Sequence, residues 1–344
     1  MPAERGLTLG RFLPLHEGHA LLLRAAVAHS AVLTVLIGTT AEDPYSYEQR
    51  RQWIRALLQP ELERFGTRLE IHPDPDIDPP FATVAKDEQG TVADERYWAR
   101  WLEQNARHCQ GVDHVFTSDA YGAELARRIG ARWFPVDPER EAVPVAATEI
   151  RADVFDHFDL VCDVAKPEVG LTVAVLGAES TGKSTLVQTL ARHYGTRYAP
   201  EWGRILSEAQ PVLGYDDFTA IVTMQSHLIA CAQRLGSGLC FTDTEAITTA
   251  LFAPVYLDRE HAYAWSQARE QHFALYLVLA PSVPWVDDGT RILDQAQRQR
   301  FHEEILAALE RLAKPYLVID APDFPRRVAA AQRAVDRLLR EARA

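Results

Sequence analysis

Only 4 of the 344 residues are cysteine (Cys109, Cys162, Cys231 and Cys240), and no pair stands in C-x-x-C spacing. That scatter argues against a disulfide framework or a thiolate metal site; the four read as reduced core residues of a cytosolic protein. The sequence has no apolar run of bilayer-spanning length, so no membrane span is expected. Its opening residues, Met1 to Gly10, carry no apolar stretch of the secretory type, and by elimination the protein is expected to be cytoplasmic. A basic surplus is missing as well: 36 Lys and Arg stand against 48 Asp and Glu, a net charge of −12. Nucleic acid would require a basic face and is not an expected partner. The sequence shows no internal repeat and no low-complexity tract. What is left is an ordinary globular composition, 47% hydrophobic and 24% charged, long enough for two domains that each bury a core.

The stretch that organises the rest is Gly177-Ala-Glu-Ser-Thr-Gly-Lys-Ser184. It follows the β-branched run Leu171 to Leu176 and leads into helix-forming residues Thr185 to Arg192. Strand, Gly-rich loop and helix form the context that a G-x-x-x-x-G-K-[ST] phosphate loop requires. The glycines let backbone N–H groups surround phosphate oxygens at the positive end of the helix. Gly177, Glu179, Ser180, Thr181, Gly182, Lys183, Ser184 and Thr185 are therefore candidate ATP contacts. Lys183 would reach the β- and γ-phosphates, and Ser184 would hold Mg²⁺.

Downstream, Gly238-Leu-Cys-Phe-Thr-Asp243 reads as a strand ending in an acid, where Asp243 would orient Mg²⁺. Such a pattern is weak alone and gains weight from the loop. Glu201 follows a short strand on the second crossover; phosphate-loop nucleoside kinases commonly place an acid there to accept the substrate hydroxyl proton. Pro284 to Arg291, followed by Gln297-Arg-Gln-Arg300-Phe301, suits a lid whose arginines, Arg291 first, stabilise transferring phosphoryl charge. The bland alternative is a solvated charged loop.

About half the chain precedes the loop. Strands are expected at Gly6–Gly10, Ala31–Gly38, Arg68–His72 and His114–Ser118, and helices at Ala20–Ala28, Glu48–Leu58 and around Arg96–Leu102. Pro73 to Pro80 reads as a loop. This alternation is that of a doubly wound sheet, which binds ligands at the carboxyl ends of its strands. His16 and His19 flank Gly18 at a strand-to-helix turn, where imidazoles can donate to phosphate oxygens; alone, they also read as surface histidines near a helix cap. Arg50 reads as core or solvated face, with a phosphate role as the minor alternative. A Pro and a Gly just before the phosphate-loop strand place the domain boundary near Lys166, giving residues 1–165 and 166–344.

Gly10-Arg-Phe-Leu-Pro-Leu-His16-Glu-Gly-His19 resembles the G-x-F-x-P-x-H-x-G-H signature of the nucleotidylyltransferase superfamily. Thr148-Glu-Ile-Arg151 resembles its second signature, S-x-T-x-I-R, in the same order. The resemblance implies an ATP site of Gly10, Arg11, Phe12, His16, His19, Ser118, Thr148 and Arg151, with His16, His19 and Arg151 on the triphosphate. The family's serine is Ala146 here, which removes a phosphate-bonding hydroxyl. Trp98 and Trp101 suggest nicotinamide mononucleotide (NMN) as the second substrate, because aromatic faces suit a cationic pyridinium; without the comparison both read as core packing.

Over nearly its full length the chain resembles the NadR family, in which an NMN adenylyltransferase is fused to a ribosylnicotinamide kinase. Pro200-Glu-Trp-Gly-Arg204, Phe241-Thr-Asp-Thr244 and Trp285-Val-Asp-Asp-Gly289 also resemble its kinase half. The resemblance implies an α/β fold of two doubly wound parallel-sheet domains, an N-terminal Rossmann-like nucleotidylyltransferase and a C-terminal P-loop kinase. It implies Mg²⁺ with ATP, the small molecules nicotinamide riboside, NMN and NAD, and a catalytic set of His16, His19, Arg151, Lys183, Glu201 and Asp243. Only residues 1–5 precede the first expected strand, so no N-terminal helix-turn-helix and no DNA-binding repression are expected. The alternative is a ribosylnicotinamide kinase whose transferase half, with Ala146, is weak or inactive and senses nucleotide. A homo-oligomer stays open.

Overall fold

In a computed structural model the chain is described over residues 3–76, 94–144, 147–210, 212–282 and 293–343. It divides into two compact units, Met1–Ala165 and Lys166–Ala344. Each is an α/β unit built on a five-stranded sheet whose strand pairs are all parallel.

The first unit runs β1 (Ala3–Gly10), α1 (Glu17–Ala28), β2 (Ser30–Thr39), α2 (Tyr47–Phe65), β3 (Arg68–Pro75), α3 (Glu95–Cys109), β4 (His114–Thr117), α4 (Tyr121–Ile129), β5 (Arg132–Pro135) and α5 (Ala147–Ala152). Its strand order is β3-β2-β1-β4-β5. β1 therefore pairs with β2 on one side and β4 on the other, and the strand order reverses between β1 and β4, the place where a doubly wound sheet would take a ligand at its carboxyl ends. Helix α1 starts three residues earlier than expected because the His16 side chain caps it, which puts His19 in the first turn. Helix α2 runs past its expected end at Leu58, through Pro60, to Gly66, whose φ of 69° forms a left-handed cap. Strand β3 continues through Pro73 and Pro75, which were read as loop. Two residues apart, these prolines lack N–H groups on one side of the strand, and β3 is an edge strand where that is tolerated.

The second unit runs α6 (Lys166–Val169), β6 (Leu171–Gly177), α7 (Lys183–His193), β7 (Arg197–Ala199), α8 (Trp202–Ala209), α9 (Tyr215–Leu235), β8 (Leu239–Asp243), α10 (Ala246–Leu257), α11 (Ala262–Glu270), β9 (Leu275–Leu279), α12 (Gln295–Arg311), β10 (Tyr316–Ile319) and α13 (Phe324–Arg343). The order is β10-β9-β6-β8-β7. Alternate residues of β6 enter two separate cores. Ala174 and Leu176 pack with Ile229, Ile247 and Ile305, while Val173 and Val175 pack with Leu186, Leu190 and Val335. Both faces are thus covered by helices, which explains why the strands read as continuous apolar runs. Among the described residues, no helix is long and apolar enough to cross a membrane.

Candidate functional sites

The phosphate loop leaves β6 at Gly177, whose φ is 152°. A Cβ there would lie 2.8 Å from Thr181 Oγ1 and 2.9 Å from the Leu279 carbonyl oxygen, so a side chain is excluded. Gly182, at φ 88°, precedes α7 without a side-chain cap, leaving the first-turn N–H groups open to an anion. The loop's carbonyl oxygens are engaged elsewhere. Ala178 O accepts from Thr181 Oγ1 at 2.8 Å and Lys183 Nζ at 3.2 Å. Glu179 O accepts from Arg298 Nε at 2.9 Å, and Thr181 O from Arg327 Nη1 at 2.7 Å. Both guanidiniums are fully buried. They fix the loop from behind and add positive charge where water does not screen it.

Asp243 closes β8, opposite Val175 of β6, and its carboxylate accepts from Ser184. Its other oxygen, Oδ1, is buried with no partner among the described residues. Burial raises the Asp243 carboxyl above its ordinary value although Lys183 opposes the shift. An orphaned carboxylate oxygen beside the loop serine fits Mg²⁺, which takes one or two protein oxygens and completes its shell with phosphates and water. Glu201 stands at the start of α8, half-buried; burial raises its carboxyl too, against the pull of Lys183.

The loop and Glu201 border a cavity of about 250 Å³. Lys183, Ser184, Glu201 and Arg204 line its polar part, and Phe218, Ile221, Phe252 and Tyr256 its apolar part. On α10 the lining residues Thr248, Phe252 and Tyr256 recur every fourth position, so one helix face forms a wall.

In the first unit His16 and His19 stack with ring centroids 3.7 Å apart. His16 Nδ1 accepts from the Gly18 N–H at 3.1 Å. In the neutral ring this leaves the proton on Nε2, which is buried and has no partner among the described residues. His19 Nδ1 is likewise buried without a partner among those residues. Burial first, then Arg140 and Arg151, lower His16 from 6.5 to about 4. His19 is lowered by burial, by His16 and by the same arginines, against a hydrogen bond with the Pro14 backbone. Arg151, on α5, reaches to 3.5 Å from the Leu13 carbonyl oxygen. Phe12, at φ 51° and fully buried, packs its ring 5.0 Å from that of His19. Cationic arginines beside the unspent Nε2–H of His16 form a site that an anion would complete, while the neutral His19 ring spends its one N–H on the Pro14 carbonyl and would offer a second donor only when protonated.

An AAA domain family model matches residues 172–327, spanning the phosphate loop and the Asp243 strand. The trifunctional NAD biosynthesis/regulator protein NadR of Escherichia coli (strain K12) is 27% identical over 361 aligned positions, covering 98% of this chain and 84% of that protein. Its namesake from Salmonella typhimurium is 28% identical, covering 88% of this chain and 75% of its own. The chain is similar to these NadR proteins over most of its length. Two solved NadR structures share the fold: one in complex with NR (TM-score 0.67, 23% identity, 97% of this chain and 96% of that one) and one with NAD and AMP-PNP (TM-score 0.68, 21% identity, 98% and 96%).

Within this chain, Lys183, Ser184, Glu201 and Asp243 come together in the second unit, and His16, His19 and Arg151 in the first. Gly10 ends β1, Ser118 follows β4 half-buried, and Thr148 is exposed on α5. Arg11 is exposed and pairs with Asp43 and Thr40. Arg50 is not at a phosphate position. It is buried and clamps the Arg11 and Gly38 carbonyls at 2.7 and 2.8 Å and Asp43 at 2.8 Å, holding the ends of β1 and β2.

Trp98, expected to offer a face to a pyridinium ring, is only 4% exposed and packs with Leu7, Leu36 and Val115. The Arg128 guanidinium lies 5.0 Å from its ring centroid, so a cation of the protein's own takes that place. Trp101 is also in this core, and its Nε1 donates to Asp74 at 3.0 Å. The arginine segment expected in a lid is the start of α12; Arg300 is exposed there, while Arg298 turns inward to the loop. Arg291, Trp285 to Gly289 and Ala146 lie outside the described residues. Cys231 is exposed on α9, a departure from the expected four core cysteines.

Sequence reasoning missed Arg327 and Arg140, which lie more than a hundred residues from the phosphate loop and from His16 with no local pattern to mark them. Arg298, expected in a lid, instead holds the loop from behind.

Proposed function

We propose that this chain is a bifunctional enzyme of NAD salvage. The second unit phosphorylates the 5′-hydroxyl of nicotinamide riboside with ATP–Mg²⁺, and the first adenylylates the resulting NMN to NAD⁺, releasing pyrophosphate. The observation that carries the reading is the cavity of the second unit. A phosphate-binding loop and an acid, Glu201, border one part, with the cation-ready Asp243 behind Ser184, and aromatic side chains line another. That combination suits a nucleoside accepting a phosphoryl group. The role of the relatives in NAD biosynthesis, and the NR and NAD bound in the solved relatives, support a substrate of this class.

Glu201 lines the cavity, whereas Asp243 is engaged with Ser184; Glu201 is therefore the group that takes the proton from the acceptor hydroxyl. Its raised pKa strengthens it as a base at neutral pH. Lys183 would leave the Ala178 carbonyl for the transferring phosphoryl oxygens, joining the N–H groups of Gly182 to Thr185. Held by Ser184 and Asp243, Mg²⁺ would supply charge neutralisation on the β- and γ-phosphates.

In the first unit the nucleophile is a phosphate oxygen that is already ionised, so no base is required. His16 Nε2–H, His19 and Arg151 would hold the triphosphate and stabilise charge developing towards pyrophosphate.

Chromatography of the full chain with ATP–Mg²⁺ and either riboside or NMN tests both steps. NAD⁺ from both incubations is expected. Riboside stopping at NMN, with supplied NMN unreacted, would remove the transferase step, and no conversion in either would sink the proposal.

A further inference from the structure

Three threonines line the same wall of the second unit's cavity: Thr244, Thr248 and Thr249. Two have spent their hydroxyls on the fold. Thr248 Oγ1 reaches Glu245 Oε1 at 3.4 Å, and Thr249 Oγ1 donates to the Glu245 carbonyl at 3.3 Å. The Thr244 hydroxyl is buried and has no partner among the described residues.

Thr244 is also held in an unusual backbone conformation. Its φ is 80°, a region that a β-branched side chain rarely enters and that a fold retains only when its surroundings enforce it. The enforcement is visible on both sides. Thr242 Oγ1 donates to the Thr244 carbonyl at 2.7 Å. Gln225 donates to Thr242 Oγ1 at 3.2 Å and accepts from the Trp202 N–H at 2.9 Å. Beyond it, the Glu245 carboxylate caps α10 through the N–H groups of Ile247 and Thr248 at 2.7 and 3.1 Å. A network of this size fixes one residue whose hydroxyl then bonds to nothing among the described residues.

The position of Thr244 says what would complete it. It follows Asp243 directly and precedes Glu245, the N-cap of α10, at the phosphate end of a wall that continues through Thr248 to Phe252 and Tyr256. From Thr248 to Tyr256 the helix rises roughly 12 Å, about the length of a nucleoside. A nucleoside lying along this wall with its ring among the aromatics brings its sugar to Thr244. A hydroxyl that both donates and accepts matches a sugar hydroxyl, which does the same.

We propose that the Thr244 hydroxyl is a substrate contact of the kinase site, hydrogen-bonding a sugar hydroxyl of the acceptor nucleoside. The inference rests on the kinase reading given above. The test is calorimetric titration of the full chain with nicotinamide riboside in the presence of ADP–Mg²⁺, with ADP–Mg²⁺ titrated separately. Thr244→Val keeps the shape and removes the hydroxyl, and should weaken riboside binding about ten-fold or more. ADP–Mg²⁺ affinity should stay within about two-fold, and the ligand-free melting temperature should not fall, because a buried unpaired hydroxyl has gone. Thr244→Ser should retain riboside binding. Thr244→Gly, which accepts φ 80° freely, should fold and lose binding as Val does. Unchanged riboside affinity in the Val or Gly variant overturns the proposal and leaves the kinase reading standing. So does a parallel loss of ADP–Mg²⁺ affinity, which would mark a structural role. A wild-type chain that binds ADP–Mg²⁺ but no riboside sinks the kinase reading, and this proposal with it.

Discussion

The two candidate anion sites are built in opposite ways. In the second unit, backbone supplies the open donors. The loop carbonyls are engaged by Lys183, Thr181 and two buried arginines, and the N–H groups remain for phosphate. In the first, side chains do it: stacked His16 and His19 keep unpaired ring nitrogens beside Arg140 and Arg151. A backbone cradle is always charged with the same partial dipoles, whereas imidazoles titrate. The first site should therefore answer to pH in a way the loop itself does not.

The largest effect expected separates the sites outright. Lys183→Ala should cut riboside phosphorylation about 1,000-fold and leave adenylylation within a few-fold, and His19→Ala should do the reverse by about 100-fold. The readout is NMN and NAD⁺ formation measured separately; loss of both reactions in either variant would break the comparison. Arg327→Met comes next. It leaves the Thr181, Ala280 and Ala321 carbonyls without their donor, which should cost the second unit about 3 kcal/mol or more. The urea midpoint checks the stability, and KM for ATP should rise with it.

The third prediction concerns pH. His16 is lowered from 6.5 to about 4, so unfolding takes up a proton in that window and stability falls as pH drops through it. Glu245 is fully buried and raised from 4.5 to about 7, so the folded form keeps a proton that the unfolded chain releases. Its contribution is present below pH 4.5 and is lost as pH rises towards 7. Each slope amounts to about 3 kcal/mol, and they have opposite signs. Relative to wild type, His16→Gln should gain stability as pH falls from 6.5 to 4, and Glu245→Gln should gain as pH rises from 4.5 to 7. Denaturation midpoints across these ranges give both; slopes of equal sign would refute the assignment.

The smallest effect is at Trp98. Because its ring is packed in the core under Arg128, Trp98→Phe should change KM for NMN less than two-fold. A ten-fold rise would return Trp98 to the substrate.

Much of this was legible in the chain. The phosphate loop and the histidine pair are contiguous segments whose chemistry depends on local backbone geometry, and local geometry is written in adjacent residues. Glycine at 177 and 182 is required by φ values of 152° and 88°, and the β-branched run before them pairs on both sides in a sheet covered on both faces. The sequence alone pointed to two α/β units and to a candidate anion site in each. It did not determine what stands behind the loop. Arg298 and Arg327 reach it across more than a hundred residues, and only the packing of α12 and α13 brings them there. The same holds for Trp98, whose aromatic face suits a substrate cation and the protein's own Arg128 equally well. Side-chain chemistry names the possible partners; distance in the folded chain chooses among them.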